Sequence, residues 1–193
     1  VPLVLLCSLV YLGSGTGLYG ASNFNKPANA KGHIWNWFRK YTPEDSLVAG
    51  HPTHIDDVQL FAMRRGFVTS ETSHPFYDVY FEEMTRRLEI SLRAHYARDL
   101  SEVVQLLEPE GIDYFVFRRK DFYPEELAEA SFFKPLDQLV HELTRRHYTE
   151  YAYRALPREV DLERFPYMPF RDRLSVVVDI AKLKAHLAHE EQI

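Results

Sequence analysis

The sequence predicts an α/β fold, a three-layer sandwich in which a small, mostly parallel sheet is flanked by helices. Three observations carry this. Short apolar runs of strand character ("SLVAG", "FVTS", "IDYFVF", "LSVVVDI") alternate with longer stretches of helical spacing, the order that builds a parallel sheet with crossover helices. In "IDYFVF" five of six residues are apolar or aromatic, too uniform for a strand with one wet face, so helices must cover both of its faces. A chain of 193 residues that is 46% hydrophobic can also bury one sizeable core.

The chain opens on "VPLVLLCSLVYLG", which carries no charge and falls short of the roughly 20 apolar residues a membrane-spanning helix needs. Residues 1–13 therefore read as the exit end of a transmembrane helix or as an apolar strand, the first being preferred. The following stretch has Gly13, Gly15, Gly17, Gly20 and Gly32, with Asn23, Asn25 and Asn29 and no periodic apolar face. Residues 14–32 read as a flexible linker, and residues 33–193 as a soluble α/β domain.

Within that domain, "IWNWFRKY" spaces Ile34, Trp37, Phe38 and Tyr41 for a short helix that ends before Thr42-Pro43. "SLVAG" follows as a buried strand. "DDVQLFAMRRG" has an acidic start, basic residues in its last turn and Gly66 at its stop, the marks of a helix with both ends signalled. "FVTS" is the second strand and "ETSHP" a loop. A long helix is expected over Phe76 to Ala97, and Asp99 with Glu102 forms a capping box for "LSEVVQLLEPEG". After the strand "IDYFVF", helices are expected over "PEELAEA" and "PLDQLVHELTRRHYTEYAYRAL". "FPYMPF" is a proline-broken link, and "LSVVVDI" is the last strand.

Composition excludes several functions. Lys+Arg 23 against Asp+Glu 28 gives a net charge of -5, and the arginine pairs are interleaved with acids, so no basic stripe for nucleic acid exists. The single cysteine, Cys7, rules out an intrachain disulfide and any multi-cysteine metal site. No Gly-x-Gly-x-x-Gly, P-loop or Gly-x-Ser-x-Gly pattern occurs. "HELTRRH" places its second histidine two positions late for a zincin helix.

The polar centre of the sequence is "AGHPTHIDDVQ", directly after the first strand. Loops at strand ends are where α/β folds keep their sites. His51, His54 and Asp56, joined by Glu71 and His74 from the next strand-end loop, offer imidazole and carboxylate groups for sugar hydroxyls, with Trp35 or Trp37 to stack on a pyranose ring. The same side chains have a metal alternative, a divalent ion held by His51, His54, Asp56 and His74. The spacing His-x-x-His-x-Asp-Asp departs from the His-x-His-x-Asp-His of metallo-β-lactamases, and contiguous His-Pro-Asp-Asp is lacking. The favoured reading therefore has no metal or other cofactor: Asp56 or Asp57 caps the next helix, and the histidines hydrogen-bond within the loop.

From about residue 34 to 117, three features lie in a characteristic order. They are the aromatic helix and strand of "IWNWFRKYTPEDSLVAG", the arginine-led strand of "RRGFVTSE", and "LLEPEGIDYFVF" as helix, Gly-Ile-Asp-Tyr and strand. In this layout the chain resembles the soluble C-terminal domain that follows the last transmembrane helix in GT-C-type membrane glycosyltransferases. The resemblance implies a membrane-embedded partner in the same parent protein, a polyprenyl-phosphate-linked sugar as the ligand handled there, and a periplasmic or lumenal position for this domain. It places no catalytic motif on this chain. The expectation is an accessory domain without a complete catalytic centre of its own, and the alternative is a stand-alone metal-dependent hydrolase built on "HPTHIDD".

Overall fold

The strand "YFVFR" is the spine of the molecule. In the computed structural model, which describes residues 33–72 and 77–190, this strand is third in the chain and central in a five-stranded sheet of order β2-β1-β3-β5-β4. The strands are β1 (Leu47–Gly50), β2 (Arg65–Gly66), β3 (Tyr114–Arg118), β4 (Phe170–Arg171) and β5 (Ser175–Asp179). β1 runs parallel to both β2 and β3, whereas β5 is antiparallel to both β3 and β4. The expectations for residues 1–13, residues 14–32 and His74 lie outside the described residues.

Alternation along the strands divides the interior in two. Val48, Val116 and Val177 face one layer with Ile34, Trp35, Phe38, Val58 and Ala62. Ala49, Phe115, Phe117, Val176 and Val178 face the larger layer. Both faces are dry, as the uniform apolarity of "IDYFVF" requires. The smaller layer is α1 (Ile34–Tyr41) and a single wide π-helical turn, Val58–Ala62. The larger layer holds α2 (Asp78–His95), α3 (Leu100–Leu107), α4 (Pro124–Ala128), α5 (Asp137–Thr144) and α6 (Ile180–Glu190). The fold is thus the three-layer α/β sandwich that the sequence predicts.

Local chemistry explains most boundaries. Asp99 accepts a hydrogen bond from the Glu102 amide at 2.8 Å, and Glu102 accepts one from the Arg98 amide at 2.8 Å, so the first turn of α3 is reciprocally capped. Gly111 closes the short 3-10 turn after α3 with φ 67, a left-handed conformation that glycine takes without steric cost. Gly50 answers a different demand. A Cβ there would lie 2.7 Å from the Val116 carbonyl oxygen and 2.9 Å from Ile55 Cγ2, so β1 approaches β3 as closely as only glycine permits.

The second strand is Arg65–Gly66, just ahead of the "FVTS" where it was expected, and two helix expectations are corrected. The helix expected over residues 56–66 is one π-helical turn, and its stop is Met63 in the left-handed region at φ 53 rather than Gly66. The reason is Arg64. Its guanidinium, buried in this layer, donates to the carbonyls of Phe38, Arg39 and Thr42 at the end of α1, to those of Ala62 and Met63, and to Thr42 Oγ1. The last carbonyls of a helix lack intrahelical partners and carry the negative end of its dipole, so Arg64 joins the ends of two helical segments. The second correction concerns the helix expected from Pro135 to Leu156, which ends at Thr144 and resumes only as a 3-10 turn at Ala152–Ala155.

Candidate functional site

The chain leaving β1 turns toward the smaller layer, where Val58 and Ala62 lie, and the chain leaving β3 turns toward the larger one, where Phe122 lies. β1 and β3 are parallel neighbours, so their C-terminal ends form a topological switch point, the place where open α/β sheets bind ligands. "HPTHID" leaves one strand there and "RRKD" leaves the other.

The three side chains singled out in the first loop diverge. His51 is 7% exposed and turns into the larger layer. Its Nδ1 is 2.9 Å from Thr53 Oγ1, and its ring meets those of His95, Tyr96 and Phe132 edge to face. Burial, reinforced by the neighbouring His95, pushes its pKa down from 6.5 to about 3, so the imidazole is neutral at physiological pH. His54 reaches across the strand ends instead, with Nε2 3.0 Å from Ser175 Oγ at the start of β5 and its ring 6.0 Å from that of Trp35. Asp56 does not cap the π-helical turn. Its carboxylate accepts the Ser70 amide at 2.7 Å and the Ser70 hydroxyl, fastening the loop after β2 to the loop after β1. Asp57 stands at the N-cap position without a capping hydrogen bond from its side chain.

The remaining expected residues are placed as follows. Glu71 is exposed in the loop that Asp56 holds, its amide 3.4 Å from Asp56 Oδ1. Trp35 is 1% exposed and lies in the smaller core against Phe38, so its ring is covered and presents no stacking face. Trp37 is half-buried among Phe38, Tyr41, Tyr114 and Phe170. Among the described residues no group of three or more His, Cys, Asp or Glu is arranged to hold a metal ion. The divergence of His51, His54 and Asp56 toward separate partners is the geometric reason these three form no such group.

The structure adds a polar group that sequence reasoning missed. Asp121, in the 3-10 turn after β3, accepts from Arg118 Nε at 2.7 Å and from His95 Nε2 at 3.1 Å. Burial alone would raise its pKa, but the hydrogen bonds and charges of His95 and Arg118 outweigh that and hold it well below the usual carboxylate range. An ionised carboxylate only accepts, so Nε2 of His95 carries the proton. The ring of His95 is 0% exposed, and its Nδ1 has no hydrogen-bond partner among the described residues. His51 and His95 have ring centroids 5.1 Å apart, which links the first loop to this Arg118-Asp121-His95 relay. Two signals in the sequence point to the relay: His95 falls on the buried stripe Met84, Leu88, Leu92 of α2, and Asp121 closely follows the strongest strand.

Comparison with known protein families and with curated proteins finds no match to this chain. Among the described residues no helix is long and apolar enough to cross a membrane.

Proposed function

We propose that this chain is an accessory domain of a membrane glycosyltransferase that uses polyprenyl-phosphate sugars. It stands on the periplasmic or lumenal side and frames the acceptor, while the catalytic centre belongs to the membrane-embedded part of the same parent protein. The observation that carries the reading is the construction of the "HPTHID" turn. His51, His54 and Asp56 each engage a different internal partner, so the turn is a braced connection that fixes the shape of the switch-point edge. The lipid-linked sugar and the membrane partner are what the resemblance in layout to glycosyltransferase domains implies. Half-buried His54 and exposed Glu71 lie on this edge, and imidazole and carboxylate suit sugar hydroxyls.

The test is sugar transfer by the full-length membrane protein. Alanine at His51, His54 and Glu71 is expected to raise the KM for the acceptor several-fold and to leave the KM for the lipid-linked donor unchanged. Full activity of the triple variant would remove the proposal. Elemental analysis of the same preparation covers the other outcome: stoichiometric metal that is lost on His51→Ala and His54→Ala would make the turn a hydrolytic centre instead.

A further inference from the structure

We propose that the start of the "HPTHID" turn is an acid-operated latch, in which the His51 side chain leaves the larger layer in mild acid while the sheet stays closed. The inference needs no ligand and stands apart from sugar transfer. It begins with how His51 is held. Its only side-chain hydrogen bond among the described residues is to Thr53 Oγ1, and its carbonyl accepts the amides of His54 and Ile55 at 2.8 and 3.2 Å. All three partners belong to the turn itself, so the ring can leave without breaking a side-chain hydrogen bond to another element. The rest of the turn is anchored elsewhere: His54 to Ser175, Asp56 to Ser70, and fully buried Ile55 in the smaller core. His95 has no exposure, whereas His51 keeps 7%, and the Phe132 ring against it is only half-buried. Of the two packed imidazoles, His51 is therefore the one with a way out.

The surroundings make acid the trigger. The titratable and charged groups that face His51 are His95 and Tyr96 from α2, Arg118 and Asp121 from the end of β3 and the turn after it, and His54 from its own turn. Only one of them is a carboxylate, and it is already committed. Asp121 Oδ1 accepts Nε and Nη2 of Arg118, and Oδ2 accepts Nε2 of His95. Burial raises the pKa of Tyr96 and keeps its phenol neutral. A proton added to His51 in place would meet Arg118 and His95 with no free anion in a dry layer, where an unpaired charge is costly. The same imidazole in water takes its proton near pH 6.5, by the ordinary value for histidine. Proton uptake thus favours the open position. The closed position is at full strength above that pH and weakens as the pH falls toward about 3, the pKa of the ring in place.

The test is native-state hydrogen exchange on the full chain, followed against pH and urea. The amides of His54 and Ile55 report the latch, and that of Val116 at the centre of the sheet reports opening of the whole fold. The opening constant at His54 and Ile55 should rise about thirtyfold from pH 7.5 to pH 5. It should depend little on urea, because a local opening exposes little surface, whereas exchange at Val116 should depend on urea strongly. His51→Phe keeps a ring in the layer that takes no proton, and should remove the rise with acid. Three results would overturn the proposal. The first is turn amides that open only together with Val116. The second is an acid rise that persists in His51→Phe. The third needs no substitution: a His51 ring resonance that titrates near pH 6.5 while both amides stay protected would show that the imidazolium is accommodated in place.

Discussion

At the residue scale, His51 carries the most direct consequence. Its imidazole is buried neutral, with a pKa lowered from 6.5 to about 3 by desolvation first and by His95 second. The unfolded chain binds this proton near pH 6.5 and the folded chain only near pH 3, so stability falls as pH drops through that window. The slope is up to about 1.4 kcal/mol per pH unit from this one group. Asp121 acts in the same direction but later, because its pKa is depressed below the usual carboxylate range and its contribution fades only as pH falls through acid values. Urea denaturation between pH 7 and about pH 5.5, above the range in which ordinary carboxylates take up protons, should therefore show the His51 slope nearly alone, and His51→Phe should flatten it relative to the parent protein. Gly50 makes a steric prediction. With the Val116 carbonyl oxygen 2.7 Å from the position of a Cβ, Gly50→Ala must push β1 from β3 and should cost about 2 kcal/mol, read as a lower urea midpoint. The histidines were legible as a polar cluster because both follow a strand. The divergence of the cluster was not, since the direction of a side chain in a loop depends on partners remote in sequence, Ser175 for His54 and Ser70 for Asp56.

At the scale of elements, capping was readable where it is local and unreadable where it is not. The Asp99 and Glu102 box spans four residues and was recognised from spacing alone. Arg64 looks in the sequence like the basic end of its own helix, yet it caps α1, more than twenty residues earlier. The helix expected over "DDVQLFAMRRG" shortened for the same reason: once Arg64 is committed to the carbonyls of α1, the chain must turn out of the helix at Met63. Lysine offers one ammonium in place of a planar fork and cannot reach six acceptors together. Arg64→Lys should therefore cost about 3 kcal/mol, in the range for breaking a buried charge network. Hydrogen exchange should find the amides of Phe38 to Thr42 opening first.

At the scale of the whole molecule, the three layers and the two-sided core were legible because strands buried on both faces have a compositional signature that needs no tertiary knowledge. Phe115, Val116 and Phe117 alternate between the two cores, and that alone requires helices above and below. Strand order was not legible: nothing in "LSVVVDI" says whether it enters beside β3 in the same or the opposite direction. It enters antiparallel, and the sheet is mixed as a result. The terminal strands of that sheet, β2 and β4, are two residues long. The remaining ladder groups of their neighbours are taken by loops, since Phe67 donates to Val48, Asp172 to Ser175 and Asp179 to Tyr167. A long unpaired border is what lets sheets stitch themselves into fibres or recruit an extended peptide. Among the described residues both border strands are too short to offer that kind of growth more than a two-residue template.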